Sequence, residues 1–240
     1  MLLIIILGNL IPVIFGIIAF KQWRKAGLSK NEIGQKLGFR PFFKFQLLTG
    51  LLIGAVIFAL IFLIFLYGDL LTITQFSWTN GHFFKIVLIF AAAAFAEEII
   101  FRSFFINGLK LYLKSTALII FITALFFGFV HMFNQGSTHL STLSAFIGGI
   151  MYALAFIKTE KLWLPIGLHF SWNFFQAFVF GFPVSGFVID GLFKINISGQ
   201  EFLTGGEYGP EGGLVGIIAR CLVIFTVGLI YKSNKDGNKA

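Results

Sequence analysis

Two adjacent glutamates, Glu97 and Glu98, lie inside the apolar run of residues 85–109, and Arg102 follows four residues after the second. Each charge at the centre of a bilayer costs roughly 2.5 to 3.5 kcal/mol on insertion scales, so a helix that only spans a membrane would not carry this cluster. Glu98 and Arg102 are four apart and can form an ion pair on one helix face. Glu97 points about 100° away, so it is freer to act as a general base that takes a proton from water.

Two further apolar segments carry polar side chains suited to catalysis. His131 follows Phe127 by four residues, and Asn173 follows His169 by four, so each pair projects from one helix face. Imidazole and amide groups can donate hydrogen bonds to an oxyanion, and imidazole can also polarise a water or bind a metal. Each set also has a purely structural interpretation, as an ion pair or a hydrogen-bonded clasp that only fixes the packing of helices.

The composition predicts that membrane helices position these residues. The chain is 58% hydrophobic and 12% charged, with a mean hydropathy of +0.92, whereas soluble proteins average about 45 to 50% apolar and 25% charged residues. We predict an all-α fold, a polytopic transmembrane helix bundle that forms a single domain over residues 1–240. The single cysteine, Cys221, cannot form an internal disulfide.

Apolar segments of about 20 residues mark the predicted spans. A glycine-rich segment, residues 183–212, is predicted to be an external loop with several turns, and an eighth crossing or a re-entrant piece within it is the alternative. The seven predicted spans are residues 2–20, 45–67, 85–108, 115–133, 141–157, 162–182 and 213–231.

The distribution of charge orients the bundle. The 21–44 loop carries seven basic residues, which predicts that this loop is cytoplasmic and that the N-terminus is outside. The tail that follows the last span falls on the same cytoplasmic side and contains Lys232, Lys235 and Lys239. The net charge of +8 therefore reflects topology and attraction to the anionic lipid bilayer, and a nucleic-acid partner is not expected because no stacking aromatics are interleaved with the basic residues on a polar scaffold.

The pattern Glu-Glu-x-x-x-Arg, then Phe-x-x-x-His, then His-x-x-x-Asn, on three apolar segments in that order, resembles the family of CAAX prenyl proteases and bacteriocin-processing enzymes, also called the Abi family of intramembrane proteases. The resemblance covers roughly residues 85–182. It implies an all-helical bundle that encloses a polar intramembrane cavity, with 85–182 as the catalytic core, and an endopeptidase that cleaves a peptide or membrane-protein substrate near the membrane. The motif positions are Glu97, Glu98, Phe101, Arg102, Phe127, His131, His169 and Asn173.

The residue types allow two mechanisms for such an enzyme. In the favoured one no cofactor is required: Glu97 and His131 polarise a water, His169 and Asn173 donate hydrogen bonds to the oxyanion, and the Glu98 and Arg102 pair orients the site.

In the other mechanism, His131, His169 and a glutamate such as Glu97 bind zinc, and the second glutamate acts as the base. The sequence contains no His-Glu-x-x-His motif that would support it.

Two functions of other classes stay open. A membrane scaffold or regulator could keep the motif and act on a partner by binding alone. A proton-coupled transporter could use the ionisable side chains as a relay, but the sequence lacks internal repeats with broken helices. The size and topology favour a multi-pass protein of a bacterial plasma membrane, where relatives of this kind are associated with peptide maturation, bacteriocin immunity and surface regulation.

Overall fold

The computed structural model describes residues 2–78 and 80–231, which are mostly helical. Met1 and the predicted cytoplasmic lysines Lys232, Lys235 and Lys239 lie outside the described residues. The helices are α1 (Leu2–Lys25), α2 (Lys30–Lys36), α3 (Lys44–Tyr67), α4 (Asn80–Glu98), α5 (Asn107–Leu109), α6 (Thr116–His131), α7 (His139–Thr159), α8 (Trp163–Asn173), α9 (Glu201–Thr204) and α10 (Leu214–Ile230).

Two π-helices extend the helices that carry site residues. Ile99–Ile106, here π1, continues α4 without a break, and Phe174–Val179, here π2, continues α8. A π-helix is rare and occurs frequently at functional sites. Both π-helices begin directly after a predicted site residue, since Glu98 and Asn173 are the last residues of α4 and α8.

The long helices coincide closely with the predicted apolar segments, whereas α2 lies in the predicted 21–44 loop and α9 in the predicted 183–212 loop. Capping residues explain two of the starts: the Ser115 side chain accepts from the Leu118 N–H before α6, and Thr138 and Ser141 form a reciprocal capping box at α7. Within residues 2–78 and 80–231, α3 and α7 are long and apolar enough to cross a membrane, and α6 and α10 are shorter apolar helices.

The predicted external loop of residues 183–212 is more structured than expected. Strand β2 (Phe193–Ile197) lies within it and pairs antiparallel with β1 (Leu71–Phe76), from Leu71 opposite Ile197 to Phe76 opposite Phe193. The mostly helical fold therefore also contains a two-stranded sheet. β1 has the β-branched composition of a strand. Its partner strand lies more than 100 residues away, so the sequence contains no hairpin pattern that would have predicted the pairing.

Helices α3 and α8 pack with their backbones in close contact. A methyl group at Gly50 would lie 2.5 Å from the Leu164 carbonyl oxygen, and one at Gly54 would overlap the Ser171 hydroxyl. The Ser171 hydroxyl also donates to the Gly50 carbonyl at 3.1 Å. Small residues at such positions let helices approach closely. This contact fixes α8, which carries His169 and Asn173, against α3.

Candidate active site

Glu98 bridges two other predicted site residues from a fully buried position. Its Oε2 atom lies 3.0 Å from Arg102 Nε, which is the predicted ion pair. Its Oε1 atom lies 2.9 Å from His169 Nδ1. An ionised carboxylate only accepts hydrogen bonds, so His169 Nδ1 carries a proton and the ring is held with Nε2 directed away from Glu98.

The buried Arg102 guanidinium is surrounded by aromatic rings. It lies 4.6 Å from the ring centre of Phe127, 5.2 Å from Tyr152 and 5.7 Å from Phe101. Within the described part of the chain, none of its three guanidinium nitrogens has a hydrogen-bond partner, so its contact with Glu98 is an ion pair without hydrogen-bond geometry. The ring faces offer a cation the electrostatic attraction that hydrogen bonds would otherwise supply. Arg102 therefore anchors Glu98 and the aromatic residues together.

The same aromatic residues hold the two histidines. His131, the last residue of α6, donates from Nδ1 to the Phe127 carbonyl at 2.8 Å, and its ring lies 4.3 Å from that of Phe127. The His169 ring stacks on Tyr152 at 4.8 Å with an interplanar angle of 20°. The Phe-x-x-x-His spacing thus has a local explanation: Phe127 contacts both Arg102 and His131.

Glu97 faces the two free imidazole nitrogens. Its Oε2 atom lies 4.0 Å from His131 Nε2 and 4.0 Å from His169 Nε2. These distances are too long for direct hydrogen bonds, and among the described residues Glu97 Oε2 is a buried atom without a hydrogen-bond partner. The Glu97 side chain is 33% exposed, whereas that of Glu98 is completely buried. Of the two glutamates, Glu97 is the one that water and a substrate can reach.

A cavity of about 550 Å³ opens next to Glu97. Of the predicted site residues, it is lined by Glu97, His131, His169 and Asn173, while Glu98 and Arg102 lie behind its wall. Its apolar lining is Ile89, Phe90, Ala93, Phe101, Val130, Val184, Phe187, Val188 and Ile189. The arrangement combines a carboxylate, two imidazoles and an amide with room for an extended, apolar ligand.

The cavity also includes residues that the sequence did not identify. Asn134 follows His131 by three residues and lines the cavity, and only that spacing could have indicated it. Ser185 comes from the predicted external loop, and it is held by the buried residue Glu211. No spacing in the sequence relates Ser185 or Glu211 to the three motifs.

A zinc ion does not fit these side chains as they are placed. Two ligands of a tetrahedral zinc ion, each about 2.0 to 2.2 Å from the metal, lie roughly 3.3 to 3.6 Å apart, whereas Glu97 Oε2 is 4.0 Å from both histidine nitrogens. Across residues 2–78 and 80–231, no three His, Cys, Asp or Glu side chains are grouped so that they could hold a metal ion.

Comparison with known families supports the resemblance of the core. The model of the family described as type II CAAX prenyl endopeptidase Rce1-like matches residues 78–175, which include all three motifs. This match confirms the resemblance that the motifs indicated. No curated protein and no solved structure matches the chain.

Proposed function

We propose that this chain, with its core of the CAAX endopeptidase type, is an intramembrane endopeptidase that hydrolyses a peptide bond with a water activated by Glu97. One observation carries the proposal. Glu97 Oε2 lies 4.0 Å from the Nε2 atoms of both His131 and His169, on a cavity wall. Glu97 Oε2 and His131 Nε2 are suited to hold and polarise a water molecule, and His169 Nε2 lies beside them, where the oxyanion would form.

The reaction follows from these positions. Glu97 takes a proton from the water while the water oxygen attacks the carbonyl carbon of the scissile bond. The negative charge that develops on the carbonyl oxygen is stabilised by the Asn173 amide and by His169 Nε2 when that ring carries both protons. Glu97 then gives its proton to the amide nitrogen as the carbon–nitrogen bond breaks. The products are a new carboxylate and a new amine.

The buried groups orient this chemistry. Glu98 accepts from His169 Nδ1 and pairs with Arg102, so the imidazole cannot rotate without breaking a buried interaction. His131 is similarly fixed by its bond to the Phe127 carbonyl. Preorganised donors of this kind need little reorganisation during the reaction.

The proposed setting is a multi-pass protein of a bacterial plasma membrane. Seven helical segments span the bilayer as one domain, with residues 21–44 in the cytoplasm and the N-terminus outside. The distribution of basic residues supports this orientation. The substrate is a peptide or a membrane protein whose scissile bond reaches the cavity.

A peptidase assay tests the proposal directly. The protein purified in detergent is incubated with a quenched fluorescent peptide library, and wild type is compared with Glu97→Gln, His131→Ala and His169→Ala, each with and without a chelator. Glu207→Gln, at an exposed position, is the control. We expect cleavage by wild type and the control, loss of cleavage in the three variants, and no effect of the chelator.

Other results would overturn parts of the proposal. Loss of activity on chelation with recovery on adding zinc would replace the water-activation mechanism by a metal mechanism. No cleavage by wild type, together with a cellular phenotype that survives in Glu97→Gln, would establish the membrane scaffold instead.

A further inference from the structure

A tight turn from the predicted external loop forms part of the cavity wall. Val184 and Phe187 exchange two backbone hydrogen bonds of 2.9 and 2.8 Å. Between them, Ser185 and Gly186 both have left-handed backbones, with φ of 49° and 84°. Positive φ at both central residues is typical of a type I′ turn. We call residues 184–187 the cavity turn, and all of them except Gly186 line the cavity.

Glu211 holds the cavity turn through both of its carboxylate oxygens. Oε1 accepts from the backbone N–H of Ser185 at 2.7 Å and from its hydroxyl at 2.8 Å. Oε2 accepts from Trp172 Nε1 at 2.9 Å and from Arg220 Nη2 at 2.8 Å. Glu211 is only 3% exposed. One buried carboxylate thereby connects the turn to α8 and α10.

The backbone of Ser185 depends on such support. A non-glycine residue at positive φ is disfavoured, and such a conformation persists only where the surroundings enforce it. Gly186 adds a second constraint, because its N–H donates to the Tyr208 carbonyl at 3.2 Å and a side chain there would overlap the Gln135 carbonyl. The conformation of the turn is therefore fixed by neighbouring residues at both Ser185 and Gly186.

The Glu211 cluster is more than an ion pair that stabilises the fold. A buried ion pair by itself is weak support for stability, because desolvation offsets the attraction between the charges. In this cluster three of the four hydrogen bonds to the Glu211 carboxylate come from Ser185 and Trp172, and Trp172 precedes the cavity residue Asn173. Arg220 donates to the same carboxylate oxygen as Trp172, and its guanidinium lies 5.0 Å from the Trp172 ring.

We infer that Glu211 is a positioning residue that fixes the cavity turn, so that the turn presents an apolar wall to the substrate beside the scissile bond. Phe187 in the cavity turn and Val188 directly after it are 60% and 81% exposed, and both line the cavity. They select substrates with bulky apolar residues near the cleaved bond. This inference rests on the proposed endopeptidase function, and Glu211 acts on binding rather than on the reacting atoms.

The mobility of the wall gives a test that does not depend on activity. In a Cys221→Ser background, a nitroxide spin label is attached at Val188→Cys and its mobility is measured by electron paramagnetic resonance. We expect Glu211→Gln to increase the mobility of the label, because the pair with Arg220 is lost, and Glu207→Gln to leave it unchanged. Ser185→Gly is the second variant. It removes the hydroxyl, and it should fold because glycine adopts positive φ without strain. Unchanged mobility in both Glu211→Gln and Ser185→Gly would overturn the inference.

Kinetics on an apolar peptide separate positioning from catalysis. We expect Ser185→Gly and Glu211→Gln to raise KM roughly tenfold while kcat changes less than about threefold, since uniform binding and not transition-state stabilisation is lost. The discrimination between apolar and polar residues beside the cleaved bond should fall in parallel. A loss of kcat at unchanged KM contradicts the inference. If wild type cleaves nothing, the proposed function fails, and the spin-label result still decides whether Glu211 holds the wall.

Discussion

Glu98 and His169, which are 71 positions apart in the chain, share a buried hydrogen bond of 2.9 Å between Oε1 and Nδ1. This contact gives the two adjacent glutamates different surroundings. Glu98 lies behind the cavity with Arg102, and Glu97 lies on its wall facing two imidazoles. The proposed mechanism assigns water activation to Glu97 and orientation of His169 to Glu98.

Substitution of the two glutamates should affect stability very differently. In Glu98→Gln the buried Arg102 loses its charged partner, and removal of one member of a buried pair costs about 3 to 5 kcal/mol. In Glu97→Gln the substituted side chain is partly exposed and the free energy of unfolding should change by less than about 1 kcal/mol. Thermal unfolding in detergent measures both, and equal destabilisation would contradict the assigned surroundings.

Arg102→Lys should not restore the wild-type site. A lysine keeps the charge near Glu98 but lacks the planar guanidinium that lies over Phe127 and Tyr152. We expect a loss of about 1 to 2 kcal/mol in unfolding free energy and a fall in peptidase activity because His169 is less firmly oriented. Lys158→Arg, at an exposed site, is the matched control. A fully stable and active Arg102→Lys protein would show that only the charge matters.

Asn173→Ala tests the proposed oxyanion donor. Removal of one such donor typically lowers kcat by about 10² to 10³, and we expect KM and unfolding temperature to change little. Asn134→Ala is the comparison, because Asn134 lines the same cavity but has no place in the proposed reaction. Steady-state kinetics of the two variants should therefore differ by at least tenfold in kcat. Similar kcat values would remove Asn173 from the mechanism.

Gly54→Ala should destabilise the contact between α3 and α8. The added methyl group overlaps the Ser171 hydroxyl, and forced overpacking typically costs about 1 to 3 kcal/mol. Gly228→Ala in α10 is the control, since nothing lies within 4 Å of the added carbon and alanine favours a helix by up to about 1 kcal/mol. Thermal unfolding should move in opposite directions for the two variants. Equal unfolding temperatures would contradict the tight packing.

The helices and the motif residues were predictable, and the contacts between distant segments were not. Long apolar runs located the helices because burial or a bilayer requires continuous apolar surface. The i and i+4 spacing correctly paired Glu98 with Arg102, since both lie on one continuous helix.

Contacts between residues that are far apart in the chain produce no periodic pattern in the sequence, so they could not be predicted from it. The hydrogen bond of His169 to Glu98 and the burial of Glu211 under Arg220 depend on how helices pack. Residues 183–212 were predicted to be loop because glycine indicates turns. In the structure those glycines allow the turns that return the chain to the cavity, as at Gly186.

The glycine contact of Gly50 and Gly54 with α8 has a consequence for where a substrate is cut. Helix α3 (Lys44–Tyr67) lies entirely outside the matched residues 78–175, yet its glycines pack directly against α8, which carries His169 and Asn173. On the proposed placement in a membrane, the contact between α3 and α8 contributes to the depth at which the substrate is cleaved. A shift of α8 along α3 would therefore move His169 and Asn173 relative to the lipid surface.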